Sequence, residues 1–249
     1  MLDKKKNLHI GVEELERYSK QILIKNIGGA GQRKLKSSKV LVIGLGGLGS
    51  PVVTHLSSAG VGQIGLVDND IVDLSNLQRQ FIHNVDRIGL NKTESAKIFI
   101  NKLNPNLIIY DYVTDAKSPE LKKIIAEYDI IIDCTDNFET RFKIADDCQE
   151  YKKPYILGTV RAYEGQITTI LPSTLKINNP KIRSLFNEEN TLNSLDDCSD
   201  EGILSITTTL VGTIMASECL KIILNINEGL FGKMLMVDLL NLRFETIKY

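Results

Sequence analysis

A glycine-rich turn directly after a short apolar run has the residue types needed to hold a phosphate group. The run is KVLVI at 39–43, and the turn after it is GLGGLG, with glycines at Gly44, Gly46, Gly47 and Gly49. Glycine permits a tight turn and close approach of a phosphate, and the next helix offers unpaired N–H groups and the positive end of its dipole. Asp68 ends the second apolar run, at about the spacing of a carboxylate that binds ribose hydroxyls. The pattern predicts a nucleotide site; the alternative is a tight strand-to-helix turn without a ligand.

The polar residues after Asp68 favour a nucleoside triphosphate over a dinucleotide. They are Asp70, Asn76, Arg79, Gln80 and Lys92. Arg79 and Lys92 can hold the β and γ phosphates and stabilise a pyrophosphate leaving group, which hydride transfer does not require. Taken singly, Arg79 is equally a surface ion-pair partner and Lys92 a solvated helix residue.

A second polar segment, DCTDN at 133–137, ends the fourth predicted strand. Ligands of open α/β sheets bind beyond the carboxyl ends of the strands, so Asp136 is expected to face the same crevice. Its oxygen atoms suit Mg²⁺ held between phosphates. The alternative for Asp136 is the N-cap of a helix over 138–150.

The elements that must position these residues alternate along the chain. We predict strands at 39–43, 63–67, 107–113, 128–133 and 154–159, and helices from the glycine turn to residue 60 and at 91–103, 118–127 and 138–150. This order predicts an α/β fold of Rossmann-like, doubly wound type, with a mostly parallel sheet in a single domain.

The two ends of the chain depart from this alternation. We expect a flexible tail over 1–12 and an amphipathic helix over 12–24, whose apolar positions include Leu15, Ile22 and Leu23. A polar link over 26–38 follows, and the nucleotide-binding domain spans 13–249. Near the C-terminus we predict an antiparallel strand at 165–172, a long mobile crossover loop at 173–200, a helix at 202–226, and two strands that turn near 238–241.

Composition excludes several classes of protein. Hydrophobic residues make up 43% and charged residues 24%, and the formal net charge is -1, so no basic field indicates a nucleic acid partner. The apolar stretch 202–226 contains Glu218, Lys221 and several hydroxyl residues, which favours a buried helix over a membrane span. The four cysteines form no CxxC pair, so we expect no zinc site, no disulfide framework and a reducing, cytoplasmic location.

Seven segments together resemble the ubiquitin-activating-enzyme-like adenylyltransferases of thiamine and molybdopterin biosynthesis. They are RYSKQ at 17–21, GLGGLGS at 44–50, SSAGVGQIGLVDND at 57–70, LSNLQRQF at 74–81, GLNKTESA at 89–96, DCTDN at 133–137 and EGQIT at 164–168. The similarity runs from about residue 13 to residue 244, and SNLQRQ followed by DCTDN is its most specific part.

The resemblance implies that ATP and Mg²⁺ are bound and that the C-terminal glycine carboxylate of a small ubiquitin-like sulfur carrier ending in Gly-Gly is adenylated. It implies ribose binding by Asp68, phosphate contacts from Asn76, Arg79, Gln80 and Lys92, and Mg²⁺ binding by Asp136. It also implies a homodimer in which an N-terminal arginine reaches the neighbour's phosphates. Lys20 occupies that position here and keeps the charge without the planar fork.

The chain departs from the family pattern at its cysteines. The region of the first zinc-binding pair reads NPKIRS at 179–184, without cysteine, so we expect no zinc. Cys198 stands where some members bond covalently to the activated carrier, although the acidic residues around it would raise the pKa of a thiol. We expect a separate protein, such as a cysteine desulfurase or a rhodanese, to supply sulfur.

Three other functions remain open at this level. The chain can adenylate another carboxylate or a tRNA substrate, can serve as a catalytically silent partner that binds a ubiquitin-like protein, or can be an NAD-dependent oxidoreductase. Arg79, Lys92 and Asp136 argue against the silent partner, because such a protein has no need of them.

Overall fold

One mixed sheet forms the centre of the protein. The computed structural model describes residues 10–172, 182–186 and 202–249. The strands are β1 (Lys39–Ile43), β2 (Gln63–Val67), β3 (Ile108–Tyr112), β4 (Ile130–Asp133), β5 (Tyr155–Arg161), β6 (Glu164–Ile170), β7 (Lys233–Asp238) and β8 (Arg243–Lys248). Their order is β3-β2-β1-β4-β5-β6-β7-β8. The first five strands pair in parallel and the last three join antiparallel, which confirms the predicted fold class.

Helices cover both faces of the sheet. They are α1 (Val12–Arg17), α2 (Ser19–Ile22), α3 (Gly28–Ser37), α4 (Gly49–Ala59), α5 (Lys92–Leu103), α6 (Pro119–Ala126), α7 (Phe138–Glu150), α8 (Ile182–Leu185) and α9 (Ser205–Leu224). The long connection from β2 to α5 contains two 3₁₀ turns, Leu74–Asn76 and Val85–Arg87.

The central strand β1 shows why the sheet needs helices on both sides. Val40 and Val42 pack into one hydrophobic cluster with residues of α3, α4, α5 and α9, whereas Leu41 and Ile43 pack into a second cluster with residues of α6, α7 and α8. Successive side chains of a strand point to opposite faces, so an uninterrupted apolar run is buried only between two layers.

The predicted polar link over 26–38 is wrong, because Gly28–Ser37 forms α3. Its three glycines are poor helix formers, but Leu35 and Gln32 are buried on the inner side of the helix. A Cβ atom at Gly31 would lie 2.8 Å from Leu224 Cδ2, so the small glycine lets this helix pack closely against the end of α9. Tertiary packing therefore overrides local propensity.

The predicted helix over 12–24 divides at Tyr18, whose φ of -99° and ψ of 8° interrupt it. Tyr18 is buried, and its hydroxyl accepts a hydrogen bond from Asn104 Nδ2 at 2.8 Å. By contrast, Leu15 and Leu23 are exposed and Ile22 is half-buried, so only part of the predicted apolar face packs against this chain. Residues 1–9 of the expected tail, and nearly all of the expected loop over 173–200, lie outside the described residues.

Helix α9 is long and apolar enough to cross a membrane by length and composition, and half of its most apolar window is buried inside the protein. Glu218 on this helix is 1% exposed. Its Oε2 atom accepts hydrogen bonds from the Leu230 N–H at 2.7 Å and from Thr169 Oγ1 at 3.3 Å, and its Oε1 atom pairs with Lys221. The helix is thus built into the domain through polar contacts as well as apolar ones.

Glu218→Ala is expected to lower the free energy of unfolding by about 3 kcal/mol, because it leaves the buried Leu230 N–H without its acceptor and breaks a partly buried ion pair. Urea unfolding followed by circular dichroism measures the change. Glu228→Ala, at an exposed position shortly after the same helix, is the matched control and is expected to lie within about 0.5 kcal/mol of wild type. An equal effect of the two substitutions would refute the structural role of Glu218.

Candidate functional site

A cleft of about 1090 Å³ opens at the carboxyl ends of the parallel strands. We call it the central cleft. It is bounded by the glycine-rich turn, the β2–α5 connection, the loops after β3 and β4, the β5–β6 hairpin, Phe186 and parts of α7 and α9. The predicted site residues that line it are Gly44, Gly46, Gly47, Asp68, Asp70, Asn76, Arg79, Gln80, Lys92 and Asp136. Residues that are far apart in the sequence therefore meet in one space.

The glycine-rich turn depends on its first and last glycines for different reasons. Gly44 has a φ of +89°, and a Cβ atom there would lie 2.8 Å from the Cys134 carbonyl oxygen. Gly49 does not line the central cleft; a Cβ atom there would lie 2.2 Å from the Gly44 carbonyl oxygen. No side chain caps α4, which begins at Gly49, so its N-terminus is open to an anion.

Asp68 holds the glycine-rich turn in place. Its Oδ2 atom accepts a hydrogen bond from the Leu45 N–H at 2.7 Å, and its Oδ1 atom accepts one from the Asp70 N–H at 2.9 Å. Burial raises the pKa of this carboxyl, while the nearby charge of Lys92 and the two backbone donors act in the opposite direction. Each carboxylate oxygen can accept a further hydrogen bond, so ribose binding remains compatible with this contact.

Lys92 is 6% exposed, so the alternative of a solvated helix residue is wrong. Its ammonium group pairs with Asp70 Oδ2 at 2.7 Å, and its N–H donates to the Asp70 carbonyl at 3.0 Å. The Asp70 side chain is 64% exposed. A buried cation whose partner faces solvent can exchange that partner for an anionic ligand.

Arg79 and Gln80 reach the central cleft from the end of a 3₁₀ turn. Arg79 Nη1 donates to the Ser75 carbonyl at 3.2 Å. This acceptor is a neutral carbonyl and not a carboxylate, so the contact does not neutralise the positive charge of Arg79. Asn76 supports the turn, since its Oδ1 atom accepts from the Asp73 N–H at 3.1 Å. Gln80 is buried, and its Oε1 atom has no hydrogen-bond partner in the part of the chain that the structure describes.

Asp136 is an exposed residue of the cleft wall, and it is not the N-cap of α7. Asn137 is the N-cap, and its side chain accepts from the Thr140 N–H at 3.0 Å. Asp133, three residues earlier, is fully buried and accepts from the Tyr155 hydroxyl at 2.6 Å and from Thr135. Asp133 thus anchors the loop that presents Asp136.

Sequence reasoning missed Arg141, which also lines the central cleft. It is buried in α7, donates from Nη2 to the Thr135 carbonyl at 2.6 Å, and places its guanidinium 4.7 Å from the centre of the Phe138 ring. Phe138 packs in turn on Phe186, and both rings line the cleft. No spacing rule indicates a mid-helix arginine; its position follows only from the path of α7 beside the DCTDN loop.

Among the described residues, Lys20 joins Gly49 as a predicted site residue that does not line the central cleft. Lys20 is exposed on α2 and does not line the central cleft of its own chain, so its expected action on a neighbouring subunit stays a prediction. Cys198 lies outside the described residues. The other three cysteines, Cys134, Cys148 and Cys219, are free and buried, as expected, and burial raises the pKa of each thiol.

The central cleft offers carboxylate oxygens of the kind that Mg²⁺ binds. Within residues 10–172, 182–186 and 202–249, no cluster of three His, Cys, Asp or Glu side chains could enclose a metal ion by itself. Mg²⁺ at nucleotide sites is held by one or two carboxylates together with phosphate oxygens and water. Asp136, whose carboxylate makes a 3.3 Å contact with the Asn137 side chain, fits that simpler requirement.

Known proteins resemble the chain over nearly its whole length. A probable molybdopterin-synthase adenylyltransferase of Porphyra purpurea is 41% identical over 238 residues, which are 95% of this chain and 61% of that protein. The SAMP-activating enzyme E1 of Haloferax volcanii is 36% identical over 242 residues, 97% of this chain and 88% of that protein. The chain thus spans less than two thirds of the Porphyra protein.

Solved structures share the fold. The crystal structure of PaaA superposes with a TM-score of 0.80 at 25% identity, covering 100% of this chain and 86% of that one. The structure of Escherichia coli MccB superposes with a TM-score of 0.79 at 21% identity, covering 96% and 70%. In sequence, the ThiF family profile matches residues 18–249, and the protein therefore belongs to the ThiF family.

Proposed function

We propose that the protein binds ATP and Mg²⁺ in the central cleft and adenylates the C-terminal glycine carboxylate of a small ubiquitin-like sulfur-carrier protein. The observation that carries this proposal is the meeting of a glycine-rich turn, the cations Arg79 and Lys92 and the carboxylate Asp136 in a single cleft. Such a set matches phosphate binding, leaving-group neutralisation and metal binding, respectively.

The two cations favour an ATP-dependent adenylyltransferase over an enzyme that binds a dinucleotide. Lys92 is buried, and both Lys92 and Arg79 line the central cleft, where their charges can meet the β and γ phosphates. A bound pyrophosphate gains negative charge as it leaves, and preorganised cations stabilise that charge more effectively than water does. A hydride-transfer site needs neither group in that place.

The chemical step is an in-line displacement at the α-phosphate. A carboxylate oxygen of the carrier's terminal glycine forms a bond to phosphorus while the bond to the bridging oxygen of pyrophosphate breaks. The products are an acyl-adenylate and pyrophosphate, and no enzyme group needs to form a covalent bond. The residues of the cleft act by positioning the reactants and balancing charge.

Asp136 is the residue we assign to Mg²⁺, which supplies charge neutralisation between phosphate groups when it is bound. Because Asn137 takes the role of helix cap, the Asp136 carboxylate is available to the cleft. The buried Asp133 and Tyr155 contact fixes the loop beneath it. A rigid loop is what a site for a small, geometrically demanding cation needs.

Relatives support the choice of a protein carboxylate as substrate. The two described above are named for molybdopterin synthase and for SAMP activation. In this chain, Arg161 and Gly165 of the β5–β6 hairpin line another side of the central cleft, away from the residues that we assign to the nucleotide. We place the C-terminal tail of the carrier on that side. We infer that sulfur then comes from a separate donor such as a cysteine desulfurase or a rhodanese, in the cytoplasm.

The same proposal includes a homodimer in which Lys20 approaches the neighbour's phosphates. We also predict that Cys198 bonds covalently to the activated carrier. Trapping a carrier thioester under non-reducing conditions tests this prediction.

Isotope exchange between ATP and pyrophosphate tests the proposed function. We expect exchange with a thiamine-type or a molybdopterin-type carrier ending in Gly-Gly, and none with the same carrier lacking its last glycine, because the attacking carboxylate is then misplaced. No exchange with either carrier, despite MgATP binding, would assign the protein a different carboxylate substrate. Failure of MgATP to bind at all would refute the proposal and favour a silent binding partner.

A further inference from the structure

A buried histidine lies behind the glycine-rich turn, where no sequence pattern gave it a role. His83 is 4% exposed. Its Nε2 atom lies 3.0 Å from the Leu45 carbonyl oxygen, and its Nδ1 atom lies 2.8 Å from Ser95 Oγ. His83 does not line the central cleft, so it cannot touch a ligand there.

The two contacts determine which ring nitrogen carries the proton. A carbonyl oxygen only accepts, so Nε2 must be the N–H that donates to Leu45. In the neutral ring, Nδ1 is then an acceptor, and the Ser95 hydroxyl donates to it. Burial lowers the pKa of His83 to about 4, with the charges of Lys92 and Arg87 acting in the same direction, so the ring is neutral near pH 7.

One set of hydrogen bonds joins the glycine-rich turn to Lys92 along the cleft. The Leu45 N–H donates to Asp68, the Asp70 N–H donates to the other oxygen of Asp68, and Lys92 donates to the Asp70 carboxylate. The side-chain part of this connection is the ion pair that we expect an incoming phosphate to replace, whereas the Lys92 N–H keeps its hydrogen bond to the Asp70 carbonyl at 3.0 Å.

A second set joins the same two elements behind the cleft. His83 donates to the Leu45 carbonyl and accepts from Ser95, which lies one turn after Lys92 on α5. Arg87 supports Ser95 by donating to its carbonyl at 2.7 Å. None of these groups faces the ligand, so this connection persists when Lys92 exchanges Asp70 for a phosphate.

We propose that His83 is a positioning residue that keeps the glycine-rich turn and Lys92 at a fixed separation and thereby sets the affinity of the central cleft for the nucleotide's phosphates. The inference rests on the proposed function only in taking ATP as the ligand. A turn and a cation that bind adjoining phosphates must hold their spacing, because a small displacement of either one weakens both contacts.

Calorimetric titration of the full chain with MgATP tests the proposal. His83→Leu removes both hydrogen bonds and leaves the Leu45 carbonyl unpaired, so we expect Kd to rise by about tenfold or more. His83→Gln keeps an N–H donor at nearly the same reach, and we expect Kd within about threefold of wild type. Where carrier-dependent exchange is measured at saturating ATP, kcat should change by less than about twofold, because the step itself does not involve His83.

His55→Leu is the matched control, since His55 is an exposed histidine on α4 whose ring contacts Thr213 at 3.2 Å and not the glycine-rich turn. It should bind MgATP as wild type does. If His83→Leu does not fold, Ser95→Ala removes only the hydroxyl that donates to Nδ1, and about a threefold or greater rise in Kd is expected.

Wild-type affinity in a folded His83→Leu protein would overturn the inference, as would equal weakening in His83→Gln and His83→Leu, which would assign the effect to side-chain volume. Either result leaves the proposed function intact as long as wild type binds MgATP. Absence of MgATP binding in the wild-type protein would refute both the role of His83 and the proposed function. Normal MgATP binding without carrier adenylation would refute the substrate assignment alone.

Discussion

Lys92→Ala is expected to lower carrier-dependent ATP–pyrophosphate exchange by about 10²–10³-fold, the cost of removing one preorganised charge from a developing leaving group. The ammonium group is buried at the cleft wall, and its partner Asp70 faces solvent. Removing the lysine therefore leaves the Asp70 carboxylate without its ion-pair partner, but water already hydrates that carboxylate. We expect the variant to fold. Exchange rates at saturating ATP and carrier measure the effect, with circular dichroism as the check on folding.

Lys97→Ala is the matched control for this substitution. Lys97 lies on the same helix, α5, and pairs with Asp111 at 2.6 Å outside the central cleft. It carries the same charge and a similar ion pair, so its removal should change exchange by less than about twofold, as is typical of a surface pair. If both variants lost activity equally, the general electrostatic field would be responsible and the specific role of Lys92 would be refuted.

Gly49→Ala is expected to weaken MgATP binding by about 100-fold or more, because the turn must move by a distance comparable to an atom. The added Cβ atom would lie 2.2 Å from the Gly44 carbonyl oxygen, which is backbone and cannot rotate away. Gly44 packs closely against the Cys134 backbone and has little room to move. We therefore expect the alanine to displace Gly46 and Gly47, which also line the cleft. Calorimetry with MgATP gives the affinity, and thermal unfolding gives the accompanying loss of stability.

Gly29→Ala provides the control for this change. Gly29 is in α3, and a Cβ atom there would meet only Arg33 Nη1, at an ordinary 3.6 Å. Alanine at such a helical position should be neutral or should stabilise by about 0.5–1 kcal/mol, with MgATP affinity unchanged. Normal nucleotide binding by Gly49→Ala would show that the turn is more pliable than its contacts indicate.

The sequence predicted those parts of the fold whose information is local. The apolar run 39–43 has to be a strand buried on both faces, and the glycines after it have to form a turn, because both features depend on neighbouring residues. Asp238 and Asn241 likewise define the last turn, since Asp238 accepts from the Asn241 N–H at 3.0 Å.

Other parts depended on contacts between distant residues. Leu224 packs against Gly31 of α3, and the hydroxyl of Tyr18, where the predicted helix divides, accepts a hydrogen bond from Asn104. Neither partner can be identified from the local pattern. The same limitation explains why Leu15 and Leu23 were expected on a packed face and are found at the surface.

For the site, residue types were easier to predict than their contacts. Sequence spacing placed Asp68, Arg79, Lys92 and Asp136 around one crevice, and the structure brings all of them to the central cleft. It did not predict that Asp68 supports the glycine-rich turn or that Asp70 pairs with Lys92. Arg141 was missed because its place in the cleft follows from the path of α7, and His83 was missed because its partner Leu45 lies 38 residues away in the sequence.

The ion pair between Asp70 and Lys92 has a consequence for which anions the cleft admits. Asp70 competes with any incoming anion for Lys92, because its carboxylate is already 2.7 Å from the lysine ammonium group. An anion binds Lys92 only if its own contacts are more favourable than this ion pair. A chloride ion or a monophosphate offers too few additional contacts to do so, whereas a triphosphate that also occupies the glycine-rich turn displaces the carboxylate by chelation. On the proposed function, we therefore expect the central cleft to select long phosphate chains over small anions, because the Asp70 carboxylate lies beside the cation that we assign to phosphate binding.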